Sequence, residues 1–246
     1  MSTTFKIPDT LIQLMKQNPR VTVLAGAGIS TESGIPTFRE SLKNGWAPYK
    51  PGDLSSIRAF EKNPTLVWSW YKFRKEIIDR AIPSKSHIAL AKLEENLSQF
   101  TLIAQNADGL NQKAGIHNVI EIHGNVHRAR CIPEEKILSD WDANQIIPKC
   151  PTCGGFLRPD VVFFGEPIPN EELAMALKAS RNCDVFFSIG TSGIIEPAAT
   201  LAYEALRNGA KVVEINPAPT PLTVFASFYF AQKAEEVLPG IIEQCF

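Results

Sequence analysis

The sequence predicts a doubly wound α/β fold: a parallel sheet covered by helices on both faces, with a smaller module inserted. Three observations predict it. Short apolar strands alternate with helices that carry readable ends, a glycine-rich turn follows the first strand, and a stretch bearing cysteines and prolines interrupts the rhythm.

The strand candidates are 21–25, 100–105, 119–122, 161–164, 184–190 and 211–215. They are β-branched or aromatic and apolar on both faces, as strands of a parallel sheet buried on each side must be. Asn63 caps a helix over 64–81 with Pro64 at its first position, and Ser86 caps 87–97. Asn170 starts a helix over 171–181, with Glu171 and Glu172 at the positive end of its dipole. Pro197 opens a helix that Gly209 closes. Residues 34–60, rich in proline and glycine, read as a long loop with a short helix near 56–60, and 126–158 as a small insert. The expected organisation is a large domain from 1–33, 82–125 and 159–246, a loop and helical insert at 34–81, and a second insert at 126–158.

The chain has 246 residues, 44% of them hydrophobic, enough to bury a sizeable core. Twenty-five basic against 26 acidic residues leave a net charge of −1, which gives no electrostatic case for nucleic acid or an anionic membrane as partner. No apolar run approaches the length of a membrane span. The start, MSTTFKIPDT, lacks the long apolar core of a signal peptide. Five unevenly clustered cysteines suggest reduced thiols, hence a cytoplasmic protein, and a metal.

The stretch TVLAGAGISTESGIPTFRE, residues 22–40, places Gly26, Gly28 and Gly34 directly after a strand. Strand, glycine turn, helix is the arrangement that presents bare backbone N–H groups to a phosphate. The spacing is not that of the usual dinucleotide fingerprint, and a tight turn without a ligand is the competing reading. The other motifs decide between them. Gly26 to Arg39, Gln105-Asn106-Ala107-Asp108-Gly109-Leu110, His123-Gly124, Val161 to Glu166, Gly190-Thr191-Ser192 and Ile215-Asn216-Pro217 follow one another in a characteristic order and spacing. In this the chain resembles the sirtuins, NAD-dependent protein deacylases, over nearly its whole length.

The resemblance implies a Rossmann-like large domain and NAD as co-substrate. Gly26, Ala27, Gly28 and Ser30 would meet the pyrophosphate, and Phe38 and Arg39 would lie on the flexible part of the loop near the nicotinamide ribose. Gln105, Asn106 and Asp108 would surround nicotinamide and ribose, with Asn106 also counted as catalytic. Gly190, Thr191, Ser192, Asn216, Pro217 and Ala234 would complete the cofactor site. Of the histidines, His123 follows a strand, where open α/β sheets bind ligands, and a neutral imidazole suits a general base. The family places its catalytic histidine in this His-Gly pair. His87 and His117 read as surface residues and His127 as structural. The implied chemistry is attack of an acyl-lysine amide oxygen on the nicotinamide ribose. His123 then draws a proton through the ribose hydroxyls, and free lysine and O-acyl-ADP-ribose result. Val162, Phe163, Phe164, Gly165 and Glu166 would offer a strand edge to an acyl-lysine peptide.

Cys150-Pro-Thr-Cys153, followed by two glycines, is a zinc-knuckle turn. Sirtuins usually supply a second Cys-x-x-Cys upstream, forming a zinc-ribbon-like module, but here it reads Cys131-Ile-Pro-Glu134. Cys131, Cys150 and Cys153 are therefore expected to hold a structural zinc, with Glu134 or water completing the set. Tyr71 and Arg74, three apart, share a helix face. They match a Tyr-x-x-Arg pair found in members that prefer acidic acyl groups, which implies succinyl or malonyl removal beside acetyl. Arginine pairs bidentately with a carboxylate, and tyrosine adds a donor. Ala104 and Asn111 depart from the family's usual threonine and histidine. The rival readings are an NAD hydrolase or ADP-ribosyltransferase on the same scaffold and a non-catalytic NAD-sensing protein. The expected state is a monomer.

Overall fold

The computed structural model describes residues 6–43 and 45–246, without the side chain of Arg39. Six parallel strands form the main sheet: β1 (Val21–Ala25), β2 (Phe100–Ala104), β3 (Val119–Glu121), β7 (Val185–Ile189), β8 (Lys211–Ile215) and β9 (Phe228–Phe230). Their order is β3-β2-β1-β7-β8-β9, so the chain reverses its direction of growth between β1 and β7. Every residue of β1 and β7 is buried, which explains why both faces of these strands are apolar. Helices α1 (Asp9–Met15), α7 (Lys85–Asn96) and α11 (Ala234–Cys245) cover one face. Helices α9 (Asn170–Asn182) and α10 (Thr200–Arg207) cover the other. The doubly wound parallel sheet read from the sequence is present.

The helix starts differ in detail. Ser84, not Ser86, caps α7, because its hydroxyl accepts from the His87 N–H. Pro169 precedes α9, and α10 begins at Thr200, three residues after the cis Glu196–Pro197 bond. His87 is not a surface residue. It is 0% exposed, with Nδ1 bonded to the Ser84 hydroxyl at 2.8 Å, and burial lowers its pKa to about 4, so it stays neutral. His117 is exposed as expected.

A second sheet is small and antiparallel, ordered β5-β4-β6, from β4 (Gly124–Cys131), β5 (Ile137–Leu138) and β6 (Leu157–Val161). The expected parallel strand at 161–164 is therefore corrected. Val161 ends β6 opposite Gly124, and past it the chain turns, the Phe163 N–H donating to the Glu166 carboxylate. Pro159 is tolerated because β6 is an edge strand. Helices α4 (Pro51–Leu54), α5 (Ile57–Lys62) and α6 (Pro64–Arg80) share one hydrophobic cluster with this sheet. Trp68 Nε1 donates to the Leu157 carbonyl at 2.9 Å, fastening α6 to β6. Arg128 joins the two sheets, donating to Glu121 on β3 at 2.7 Å and to the buried Asp160 on β6 at 2.8 Å. No helix is long and apolar enough to cross a membrane among the described residues.

Phe187, fully buried at the centre of β7, packs within the cluster on the α1, α7 and α11 side. Phe187→Ala removes a side chain that no neighbour can replace, and denaturant unfolding should record a loss of about 3–5 kcal/mol.

Candidate active site

The site lies at the carboxyl ends of β1, β2, β3, β7 and β8, in the crevice beside the point where strand order reverses. β1 runs through Gly26 into the short helix α2 (Ala27–Thr31). The Gly26 N–H donates to the Ile189 carbonyl and the Gly28 N–H to the Gly190 carbonyl, each at 2.9 Å. A Cβ on Gly28 would lie 2.6 Å from the Gly190 Cα, and one on Gly26 would lie 2.6 Å from the Gly190 carbonyl oxygen. Only glycine permits that approach. The N–H groups of Ala27, Thr191 and Ser192 donate no hydrogen bond among the described residues. Bare N–H groups at a helix start and a facing turn fit a pyrophosphate.

A buried polar web lies beneath this turn. Ser30 donates to Asp108 Oδ2 at 2.6 Å. Asn106 donates from Nδ2 to the Gly26 carbonyl at 2.9 Å and to the Ser30 hydroxyl at 2.7 Å. Asp108 Oδ1 accepts from the Leu110 N–H, and its side chain is sealed at 5% exposure. Gln105 donates to the Thr191 hydroxyl at 2.9 Å, and Asn216 to the Thr191 carbonyl at 2.8 Å. The web brings together residues from four strand ends that are far apart in sequence. Pro217 follows Asn216 after β8, while Ala234 is buried in the core at the start of α11.

His123 stands just past β3. Its Nδ1 lies 2.8 Å from the Gln105 carbonyl, which can only accept, so the hydrogen is on Nδ1 and the lone pair on Nε2. Nε2 has no partner among the described residues. Burial lowers the His123 pKa, the Gln105 carbonyl opposing it, and the ring is neutral at pH 7. His127 is tied by Nε2 to the Asp108 carbonyl at 3.2 Å, a structural role.

On the facing side, Phe38 in α3 (Phe38–Ser41) meets Trp70 edge-on at 5.0 Å and Phe164 at 5.7 Å. Arg39 lies in the same helix, its side chain outside the described part. Tyr71 Oη is 2.7 Å from the Ser55 hydroxyl, and burial pushes its pKa up to about 12. Arg74 is half-buried in the same helix. Val162 and Phe164 donate their N–H groups to the His123 and Ser55 carbonyls. The carbonyls of Val162 and Phe164 and the Gly165 N–H bond to nothing among the described residues. Glu166 is held by Arg158 in a bidentate pair at 2.6 and 2.7 Å.

The Sir2 family profile matches residues 26–197. The chain belongs to the Sir2 family. An NAD-dependent protein deacylase of Aquifex aeolicus is 45% identical over 92% of this chain and 95% of its own. One from Pyrococcus furiosus is 42% identical over 94% and 95%. Among solved structures, a Sir2 homologue–NAD complex superposes with a TM-score of 0.91 at 38% identity, covering 98% of this chain and 94% of the other. A Sir2 protein bound to acetylated peptide gives 0.84 at 30% identity, covering 97% and 98%.

Cys131, Glu134, Cys150 and Cys153 gather at one end of the small sheet, their ligand atoms all within 4.8 Å of one another. Cys131 Sγ and Cys153 Sγ are 3.5 Å apart. Three thiols and a carboxylate at this separation fit a four-coordinate zinc. The Cys153 N–H pulls the Cys150 thiol down to about 7, while burial pushes Cys131 up to about 11. Sequence reasoning found this cluster but missed β4, which delivers Cys131. Its signal was the alternation of Ala129 and Cys131 with polar neighbours, which a register shift separates from Val126. Elemental analysis of the purified protein should find about one zinc per chain, and Cys150→Ser should remove it and lower the melting temperature.

Proposed function

We infer that the chain is an NAD-dependent protein lysine deacylase, and the observation that carries the reading is the orientation of His123. Its Nδ1–H is fixed on the Gln105 carbonyl, so the neutral ring offers Nε2 as a base at the mouth of the polar web. NAD, when bound, supplies the ribosyl carbon that receives the acyl oxygen. Ala27, Thr191 and Ser192 would hold its phosphates through backbone N–H groups, with Gly26 and Gly28 keeping the two turns close enough for them to converge. Ser30, Asn106 and Asp108 form a rigid polar floor that keeps water from the reacting carbon. Gln105 serves twice, holding His123 through its carbonyl and Thr191 through its amide.

The acyl-lysine peptide lies along residues 162–165, where its own N–H groups find the Val162 and Phe164 carbonyls and a carbonyl finds the Gly165 N–H. Tyr71 and Arg74 read the acyl end. The Ser55 and Tyr71 hydroxyls share one hydrogen bond in which either can donate, and when Ser55 donates the tyrosine O–H is free to donate to a carboxylate. Succinyl and malonyl groups are therefore substrates beside acetyl. The five free cysteines suit a reducing cytoplasm.

Matched acetyl-lysine and succinyl-lysine peptides, incubated with protein and NAD and followed by mass spectrometry, test the reading. Both acyl groups should be lost, succinyl faster. Nicotinamide released equally without peptide would overturn deacylation in favour of NAD hydrolysis, and no turnover at all would favour a sensor. His123→Ala should lower kcat by about 10²–10⁴-fold. Because the base works only when neutral, activity persists above the folded pKa of His123 and is lost as pH falls through it. That pKa is lowered, so the acid limb of kcat/KM should lie below pH 6.5, the ordinary imidazole value.

A further inference from the structure

We propose that Arg74 tethers the loop at 34–43 and so sets the affinity for the dinucleotide even when the acyl group carries no carboxylate. The proposal rests on reading 34–43 as the cofactor loop. Arg74 Nη1 donates to the Pro36 carbonyl at 2.7 Å and to the Ser41 hydroxyl. Ser41 is fully buried and itself bonds to the Pro36 carbonyl at 3.4 Å. One nitrogen thus holds the loop just before α3 and at its last residue.

The loop has little else of this kind. Its Thr37–Glu40 capping box is internal and fastens α3 to nothing outside it. Phe38 and Trp46 stack on α6 through Trp70, contacts that resist separation without fixing a register. Among the described residues, Arg74 is the only hydrogen-bond donor from beyond residues 34–50 that reaches residues 36–43. A half-buried charged donor on a carbonyl is one of the stronger polar contacts a protein makes.

The geometry of the guanidinium lets one residue do both tasks. Its donors diverge in a fixed fork. Nη1 is committed to the loop, whereas Nε and Nη2 have no partner among the described residues. An acyl carboxylate can take that second edge without releasing the first. Loop order and acyl recognition are then linked, and binding at either favours the other. A loop already ordered spares the dinucleotide the entropy of ordering it.

The test measures the KM for NAD with an acetyl-lysine peptide, which has no carboxylate for Arg74 to read. It also measures the rate at which trypsin cuts after the exposed Lys43, in wild type, Arg74→Met and Ser41→Ala. Arg74→Met should raise the KM for NAD about tenfold, hasten the cut by a similar factor and erase any succinyl preference. Ser41→Ala should raise both about threefold and keep that preference. A KM for NAD within twofold of wild type in Arg74→Met, or an unchanged cutting rate, would overturn the tether. If Arg74→Met does not fold by circular dichroism, the same two readouts in Ser41→Ala decide. A wild type that consumes no NAD with any acyl peptide sinks the deacylase reading, and the cutting rate still judges the tether.

Discussion

The cofactor end of the sheet depends on how closely two turns can approach, the one leaving β1 and the one leaving β7. Gly28 and Gly190 stack backbone on backbone, and any Cβ at either position would penetrate the other's main chain. Gly190 also holds φ +59, a conformation in which a side chain is strained regardless of space. The contact draws the N–H groups of Ala27, Thr191 and Ser192 around one volume. It also sets α2 low enough for Ser30 to reach Asp108 and Asn106. A side chain there would lift α2 and detach the polar web from the strand ends that support it.

That web answers an electrostatic problem. Asp108 is nearly sealed from water, and an unpaired carboxylate in such a place is costly. Its direct hydrogen bonds come from neutral donors, the Ser30 hydroxyl and the Leu110 N–H, and the Arg74 guanidinium lies close enough to attract it. The result is a floor of fixed dipoles with one cation beside it. His123 follows the same logic in mirror image: burial keeps its ring neutral, and a carbonyl rather than a carboxylate orients it.

Much of this was legible in the sequence because local rules and sheet rules agree. Strands buried on both faces announce themselves by composition, as β1, β2, β7 and β8 do, and Asn63-Pro64 marks the start of α6 as capping chemistry requires. The misreadings fall where tertiary contacts overrule local pattern. His87 looked like a polar residue in the first turn of a surface helix, yet its bond to Ser84 lets the ring be buried. Residues 161–164 looked like a core strand because Val-Val-Phe-Phe is apolar. Pairing with β4 and the hold of Arg158 on Glu166 instead turn that segment away from the main sheet. β9 is three residues long, too short for any period to show. The commitment of Arg74 to a loop carbonyl could not be read at all, since a backbone acceptor leaves no trace in sequence.

One feature at the junction of the sheets bears on where the molecule can yield. Arg128 grips Glu121 and Asp160 at once, Arg130 adds a second hold on Asp160 at 3.0 Å, and Gly124 sits where a Cβ would be 2.1 Å from the Asp160 carbonyl. Triangulated in this way, the corner that carries His123 behaves as a stiff bracket. Among the described residues, the opposite bank of the cleft, 35–43 and 45–49, is fastened by tilted and edge-on rings and by the Arg74 guanidinium. Bracing is therefore one-sided: the bank bearing His123 is pinned to both sheets by charge pairs, and the aromatic bank is held by ring packing and the Arg74 guanidinium among the described residues.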